Sequence, residues 1–90
     1  MSTKISDSGL MLLAVFNELQ EKEPNLDKGI HNEVGLALED VEPALIELEK
    51  EGFINGLIWV KSDIDQKEIP SLNNVSLTPS GYAKVIELLN

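Results

Sequence analysis

The sequence predicts one α+β domain that spans residues 1–90, and three observations support this class. Ninety residues with a 42% apolar share can build one small hydrophobic core but not two. Apolar residues recur at helical spacing before residue 52 and again after residue 78. The stretch between them is rich in β-branched residues and is punctuated by glycine and proline, which is typical of short strands and turns.

Two helices are predicted in the N-terminal part of the chain. Ser6 or one of the next two residues can cap a first helix that runs to about Lys22. The first two turns of this helix are apolar on nearly every side, so either other elements or a second subunit must cover them. A shorter second helix is predicted over residues 25–36, where Gly35 ends it in the left-handed conformation. The inward stripe of the first helix consists of Leu12, Leu13, Phe16 and Leu19.

A third helix is predicted after a brief turn through Leu36 and Ala37, and it ends at Gly52. Pro43 is expected in about the first turn of this helix, where a missing amide hydrogen costs little. The inward stripe follows the helical repeat, and Leu38 lies just before it. The members of the stripe are Val41, Ala44, Leu45 and Leu48.

A β-hairpin is predicted next. Residues 53–61 form its first strand, in which Gly56 permits a bulge or a close approach of the backbone. Residues 62–73 are mostly polar and are expected to form the loop at the tip, and residues 74–78 supply the returning strand. Alternation along the first strand places two sets of apolar residues on opposite faces. One set is Leu57 and Trp59, and the other is Ile54, Ile58 and Val60.

The last helix is predicted from Thr78, as its N-cap, to Leu89, with Pro79 at the first helical position. Two helices at helix-turn-helix spacing, a two-stranded wing and a closing helix define a winged helix-turn-helix architecture. It has a three-helix core, a two-stranded wing and a C-terminal helix. The inward stripe of the last helix is expected to be Tyr82, Val85, Ile86 and Leu89.

Short motifs at the junctions of these elements carry a resemblance to a known family. They are Val34-Gly35-Leu36, then Val41, Ala44, Leu45 and Leu48, then Glu51-Gly52-Phe53-Ile54 with Gly56, and finally Leu77-Thr78 followed by Gly81-Tyr82. Over roughly residues 12–88, this arrangement resembles the YjcQ-like small winged-helix proteins of bacteria and their phages. The resemblance implies a phage-related or prophage-derived origin and a regulatory or interaction role. It transfers no catalytic residues to this chain.

The charge of the chain disfavours binding to nucleic acid and to anionic membranes. The chain has 7 Lys, no Arg and 16 Asp or Glu residues, and its net charge is −9. Arginine supplies the two-pronged donor that fits guanine edges and phosphates, and lysine replaces it only as a point charge. An acidic surface without arginine repels polyanions at long range. Such a surface suits a basic partner, or it serves solubility alone.

The third helix concentrates this charge on its outward side. With Val41 facing the core and 100° of rotation per residue, the outward residues are Glu39, Glu42, Pro43, Ile46, Glu47 and Lys50. Specific DNA readers depend on several phosphate contacts from Lys or Arg, and this face presents three carboxylates and one ammonium. On the wing, Lys61 and Lys67 are the residues placed for a contact with a DNA backbone.

The favoured hypothesis is therefore a protein-interaction module, a regulatory adaptor that uses the winged-helix frame. Its predicted contact residues are Glu39, Glu42, Ile46, Glu47, Lys50 and Trp59. Trp59 has a second interpretation, in which it packs under the wing or the first helix. One alternative function is a DNA-binding transcriptional regulator that dimerises through the first and last helices. A DNA mimic, whose carboxylates occupy the cleft of a DNA-binding protein, is a further alternative.

The sequence predicts no enzyme and no catalytic, cofactor-binding or metal-binding residues. His31 is the single histidine, and the chain has no cysteine and no glycine-rich phosphate loop. Asp63, Asp65 and Glu68 resemble the start of a calcium loop but lack its central glycine and final glutamate, so a solvated tip is expected. The apolar run of residues 9–16 is too short to span a bilayer, and no signal-peptide cleavage site follows it. We therefore expect a cytoplasmic protein that contacts no membrane.

Overall fold

The computed structural model describes residues 5–90, which form three α-helices, one 3-10 helix and four short strands. The α+β class is as predicted. The strands form two separate two-stranded antiparallel sheets, β1 with β4 and β2 with β3. In chain order the elements are α1 (Asp7–Leu19), the 3-10 helix (Ile30–Val34), α2 (Leu38–Lys50), β1 (Ile54–Asn55), β2 (Ile58–Lys61), β3 (Glu68–Ser71), β4 (Ser76–Leu77) and α3 (Pro79–Leu89).

Helix α1 lies at the centre of the domain. Ser6 caps it, since the Ser6 hydroxyl accepts a hydrogen bond from the Gly9 amide at 3.2 Å. The helix ends at Leu19, three residues before the predicted end at Lys22. It contacts α2, the 3-10 helix, α3 and β4, so elements of the same chain cover its inner sides. The fully buried side chains are Met11, Leu12, Ala14 and Val15, whereas the predicted Leu13, Phe16 and Leu19 are only partly buried.

The predicted second helix is wrong in type and extent. Only Ile30–Val34 is helical, and it is a 3-10 helix. The preceding residues form turns because the Asn25 side chain accepts a hydrogen bond from the Asp27 amide at 3.2 Å, which competes with helical bonding. Gly29 then adopts a φ of 87°, which no α-helix contains. Gly35 does end the segment in the left-handed conformation, as predicted.

Helix α2 is the predicted third helix, and its inward stripe is confirmed, with Leu38 outside the stripe. Leu38 is 75% exposed because it stands in the first turn of the helix, on the same side as Val41 but before the part of that side that the core covers. Pro43 lies in the second turn rather than the first, where it removes one intrahelical hydrogen bond. Gly52 ends the helix at a φ of 76°, with the Phe53 amide donating to the Leu48 carbonyl at 3.0 Å. The confirmed buried residues are Val41, Ala44, Leu45 and Leu48.

The predicted continuous strand of residues 53–61 is interrupted at Gly56, which has a φ of 84°. β1 pairs with β4 through Ile54 opposite Leu77, and β2 pairs with β3 through Ile58 opposite Ser71. The interruption separates residues that alternation alone would place on one face. Ile54 is 2% exposed in the core, whereas Ile58 and Val60 are 46% and 52% exposed, so these three do not share a face.

The returning strand begins earlier than predicted, because β3 lies inside the predicted loop of residues 62–73. The Ser62 amide donates to the Lys67 carbonyl at 2.8 Å, and alternation from this pair places Pro70 at a position not bonded to β2. The missing amide hydrogen of Pro70 therefore falls at the outer edge of β3 and costs no ladder bond. Leu72 is buried in the core just after the strand, contrary to a polar loop.

Helix α3 begins as predicted but turns a different face to the core. The Thr78 hydroxyl accepts from the Gly81 amide at 2.9 Å and donates to the Gly52 carbonyl at 2.6 Å. Gly81 rests against the Phe53 carbonyl, which leaves no space for a side chain and fixes the inward direction. Val85 follows on that face and is 1% exposed. The predicted stripe is therefore wrong for Tyr82, Ile86 and Leu89, which are 47%, 62% and 64% exposed.

Candidate partner-binding surface

The outer face of α2 consists of the six residues that helical geometry predicts, and all six are exposed. Ile46 is an aliphatic side chain with 51% of its surface in solvent, and acidic side chains stand before and after it along the helix. Three carboxylates and one ammonium make the face negative. Its residues are Glu39, Glu42, Pro43, Ile46, Glu47 and Lys50.

Trp59 does not belong to this face. It lies in β2 on the β2–β3 hairpin, is half-buried, and stands opposite Pro70 in the register. The structure therefore brings together the predicted contact residues of α2 but places the predicted tryptophan on a different element.

The two hairpin lysines do not form a joint cationic patch. Lys61 lies opposite Glu68 in the register, whereas Lys67 bonds to Ser62 at the next pair along the ladder. Since successive residues of a strand point to opposite faces, Lys61 and Lys67 project from opposite faces of the hairpin. Both are exposed.

Two other described lysines are engaged with carboxylates. Lys28 binds Glu18 at 2.8 Å and lies 3.9 Å from Glu33, and Lys84 binds Glu87 at 3.2 Å. Within residues 5–90 these lysines lie on the loop before the 3-10 helix and on α3, away from the hairpin lysines in sequence. Lys4 lies outside the described residues. Lys28 and Lys84 are thus paired with carboxylates and the two hairpin lysines point apart, so these four lysines do not form a joint cationic strip of the kind a DNA backbone requires.

A groove of about 350 Å³ opens between α2 and the β2–β3 hairpin, and the sequence did not predict it. Its volume falls within the range of about 300–1,000 Å³ that is usual for binding pockets. The floor consists of buried apolar side chains from four separate parts of the chain. These are Met11, Leu26, Ile30, Val41, Leu45 and Leu72.

The rim of the groove is acidic. Glu42, a predicted partner-contact residue, and Leu38 line the α2 side, and Lys67, which was predicted for contact with a DNA backbone, lines the hairpin side. Four carboxylates surround the opening, against one ammonium and the half-buried His31. The rim carboxylates are Asp27, Glu42, Asp65 and Glu68.

Long-range polar contacts hold the walls of the groove in place. The Asp27 carboxylate accepts a hydrogen bond from the Leu72 amide at 3.0 Å and joins the loop before the 3-10 helix to the end of β3. Buried Glu18 on α1 binds the same loop twice. Its carboxylate meets the Lys28 ammonium at 2.8 Å and accepts from the Asn25 amide at 2.8 Å.

These contacts alter the ionisation of the pair. The hydrogen bond from Lys28, followed by that from the Asn25 amide, holds the pKa of Glu18 below its ordinary value of 4.5. The same contact with Glu18 raises the pKa of Lys28 above its ordinary value of 10.5. Both groups are therefore charged near neutral pH, and their role is to fix the loop on α1.

The groove residues that sequence reasoning missed share a common feature. Asp27 and His31 come from the segment predicted as the second helix, and Leu72 comes from the segment predicted as a polar loop. Nothing in either segment indicates that the two would meet beside α2. The one local signal was Leu38, an apolar residue just outside the predicted stripe of α2. Its 75% exposure on the groove wall shows that such an offset residue can mark a surface.

The described residues were compared with the requirements of a metal-ion site and of a membrane-spanning helix, and they meet neither. Residues 5–90 contain no group of three or more His, Cys, Asp or Glu side chains arranged to hold a metal ion. None of the described helices has the length and apolar character needed to span a lipid bilayer. Comparisons of the chain with protein-family models, curated proteins and solved structures found no match.

Proposed function

We propose that this chain is a small acidic protein-interaction module of winged helix-turn-helix type, a regulatory adaptor of phage or prophage origin. The observation that carries the proposal is the outer face of α2, where half-exposed Ile46 stands among glutamates. An exposed aliphatic side chain with charged residues around it is a common centre of a protein–protein interface. Burial of the aliphatic group stabilises the complex, and the charges determine which partner fits.

The order of the elements supports the winged-helix part of this proposal. A central helix, a short helical segment, a second long helix, an antiparallel hairpin and a closing helix follow one another along the chain. In helix-turn-helix proteins the helix at the position of α2 enters the major groove. The resemblance to YjcQ-like proteins implies the same frame with a regulatory or interaction role.

The charge of α2 favours a protein partner over DNA. Each carboxylate placed near a phosphate costs on the order of 1 kcal/mol even in water, and more where water is excluded. The outer face of α2 carries three such groups, and Lys61 and Lys67 project from opposite faces of the hairpin. A basic protein surface meets the same carboxylates with favourable energy.

Affinity capture from a host extract tests the proposal. We expect the wild-type chain to retain a protein whether or not nuclease is present. The variant Ile46→Ala/Glu47→Lys should lose that protein because it removes the apolar centre and reverses a charge. The control Ile64→Ala/Glu23→Lys makes the same two changes at exposed positions outside α2 and should retain it. Equal capture by both variants would contradict a role for α2.

A mobility-shift titration distinguishes a protein-interaction module from the alternative of a DNA-binding regulator. Nonspecific binding is strongest at low salt, so retardation of DNA by tens of micromolar protein at about 50 mM salt would overturn the preference for a protein partner. A DNA mimic gives a third pattern. The captured protein would then bind DNA by itself, and added duplex would displace the acidic chain from it.

Self-association through the first and last helices is part of the proposal. Tyr82, Ile86 and Leu89 form an exposed apolar strip along α3, and the Tyr82 ring meets Phe16 of α1 edge-on at a centroid distance of 6.3 Å. Two copies that each carry a charge of −9 repel one another, and an uncharged apolar strip is a region where they can approach.

A further inference from the structure

We propose that the groove between α2 and the β2–β3 hairpin is a docking site for a lysine- or arginine-rich amphipathic helix of the protein partner. This inference rests on the proposed function and specifies the chemistry of the partner. It uses a surface distinct from the strip on α3 and overlaps the outer face of α2 only at Glu42.

The floor and walls of the groove are apolar, so we expect the bound helix to insert apolar side chains. The floor is built from buried core residues, and its volume of about 350 Å³ accommodates a few aliphatic side chains. Two large apolar residues stand exposed on its opposite walls, Leu38 at 75% and Ile69 at 55%. An occupant that covers both walls removes this surface from water, which is the main source of affinity in helix-in-groove complexes.

The rim selects a cationic occupant. Its four carboxylates stand against one ammonium and one imidazole around an apolar centre. A lysine or arginine side chain can lay its aliphatic stem along the apolar wall and place its charge on the rim. The net charge of −9 on the whole chain attracts the same occupant at longer range.

The edge of β3 argues for a helix rather than an added strand. Pro70 has no amide hydrogen and lies at a position that points away from β2. The Leu72 amide, next in line along this edge, already donates to Asp27 at 3.0 Å. An incoming strand would find only the Glu68 amide as an outward donor on β3, and this shortage of donors favours a helix, which binds through its side chains.

A second copy of this chain does not fit the groove. Its 7 lysines are dispersed among 16 acidic residues, and the described helices carry no cationic face. An acidic helix from a second copy would meet the acidic rim with repulsion. Charge complementarity therefore assigns the groove to a basic segment of another protein.

Two designed helical peptides test the assignment directly on the folded protein. Both carry leucine on one face, and the opposite face carries lysine in one peptide and glutamate in the other. We expect the lysine peptide to bind saturably and to shift the backbone amide signals of Leu26, Ile30 and Leu72 in the isotopically labelled protein. The glutamate peptide should leave them unchanged. Shifts confined to α3, or equal binding of the two peptides, would overturn the assignment.

Matched charge-reversal variants distinguish binding in the groove from nonspecific attraction of the peptide by the net negative charge of the protein. Glu42→Lys/Glu68→Lys changes two exposed rim residues, and Glu49→Lys/Glu51→Lys makes the same change at two exposed residues near the end of α2, outside both the groove and the outer face of α2. We expect the rim variant to bind the lysine peptide about tenfold more weakly, and the control to bind it within about threefold of wild type. Equal weakening would show that net charge alone attracts the peptide, which contradicts a docking site. The dispersion of the amide spectrum verifies that each variant is folded.

The same variants distinguish failure of this inference from failure of the proposed function. If the peptides do not bind but Ile46→Ala/Glu47→Lys abolishes nuclease-resistant capture, the groove is not the docking site, and the proposed protein-interaction function is still supported. If the lysine peptide occupies the groove but no protein is captured by the wild-type chain, the docking chemistry holds and the adaptor function falls. Leu38→Ser supplies an independent check, since loss of one apolar wall should weaken the lysine peptide without any change in charge.

Discussion

Gly52, Gly56 and Gly81 illustrate two reasons why a side chain is unfavourable, a left-handed backbone angle and a collision with another part of the chain. Gly52 has a φ of 76° with open space around it, and Gly81 has a helical backbone but rests against the Phe53 carbonyl. Gly56 combines both conditions, since its φ is 84° and an added methyl group would overlap the Asn74 carbonyl. Substitution at Gly52 therefore tests backbone strain alone, substitution at Gly81 tests steric conflict alone, and substitution at Gly56 tests both together.

We predict a graded loss of stability for alanine at these positions. Gly52→Ala should cost about 1 kcal/mol, which is the usual penalty of a left-handed residue with a side chain. Gly81→Ala and Gly56→Ala should each cost about 3 kcal/mol or more, because the backbone must move to make room. Urea unfolding followed by circular dichroism measures the series. A Gly81→Ala variant as stable as Gly52→Ala would contradict the close contact of α3 with Phe53.

A second prediction at this scale concerns the buried carboxylate of Glu18. Its lowered pKa means that the folded protein holds the proton less tightly than the unfolded chain, whose ordinary value is 4.5. The stabilisation is therefore complete above pH 4.5 and is lost as the pH falls through the lowered pKa. Glu18→Gln should unfold more readily than wild type at neutral pH, and the difference should shrink below pH 4.5.

Unfolding by urea at a series of pH values tests this dependence, with Glu23→Gln as a control at an exposed glutamate. The control should follow the wild type at every pH. The stability contribution of Lys28 has the opposite pH dependence to that of Glu18, because the pKa of Lys28 is raised. Its contribution is present below pH 10.5 and is lost as the pH rises through the raised value. A constant difference between wild type and Glu18→Gln from neutral to acid pH would contradict the ion pair.

At the scale of elements, a long-range hydrogen bond between Asp27 and the Leu72 amide, together with the buried Leu72 side chain, ties the β2–β3 hairpin to the rest of the domain. Asp27 accepts from the Leu72 amide across 45 positions of sequence, whereas Asp65 accepts from the nearby Lys67 amide within the tip of the hairpin. The two bonds have similar lengths, 3.0 and 3.1 Å, but only the first joins separate elements.

We predict that Asp27→Ala loosens the hairpin and the groove together. Loss of this charge-assisted bond should lower the free energy of unfolding by about 1 kcal/mol, and the Leu72 amide should exchange its hydrogen faster. Asp65→Ala removes a bond of the same kind, and its effect should stay within the tip. Asp27→Asn keeps an acceptor and should be intermediate. If the Leu72 amide exchanges equally fast in wild type and Asp27→Ala, the contact does not anchor the hairpin.

At the scale of the whole molecule, net charge and apolar surface oppose each other. A charge of −9 on 90 residues keeps copies apart, while the exposed strip of Tyr82, Ile86 and Leu89 favours contact. Because the repulsion is screened by salt and the apolar contact is not, the balance depends on ionic strength.

We therefore predict a dimer that becomes more stable as salt is added. Light scattering at several concentrations should give the mass of two chains for wild type and of one chain for Ile86→Glu. Ile64→Glu places the same charge at a 96% exposed position on the hairpin and should leave the dimer intact. A wild-type chain that stays monomeric at high salt would remove the strip on α3 as an interface.

Much of the local structure was predictable because its causes are local. Thr78 caps α3 and Gly52 ends α2, since each depends on hydrogen bonds and dihedral angles within a few residues. The six residues of α2 that were predicted to face outward are all exposed, because helical periodicity alone separates them from the buried stripe. These residues supply most of the predicted contact surface.

The errors arose where distant contacts decide the outcome. Tyr82, Val85 and Ile86 are all apolar, and only the contact of Gly81 with Phe53 selects Val85 for the core. The strand of residues 53–61 was interrupted because Gly56 allows a close approach by Asn74, a residue from the returning side. The loop before the 3-10 helix is also held by contacts with another element, since Asn25 and Lys28 both bind Glu18 on α1.

The sequence by itself determined the α+β class, the starts of the three α-helices, the ends of α2 and α3, and the acidic outer face of α2, because these follow from spacing, capping and composition. The tertiary structure alone decided which face of α3 is buried, where the hairpin divides, and that an apolar groove opens beside α2. The physical reason is that a groove is a space between elements. Its floor and rim combine residues from α1 to β3, and no local pattern encodes the distance between them.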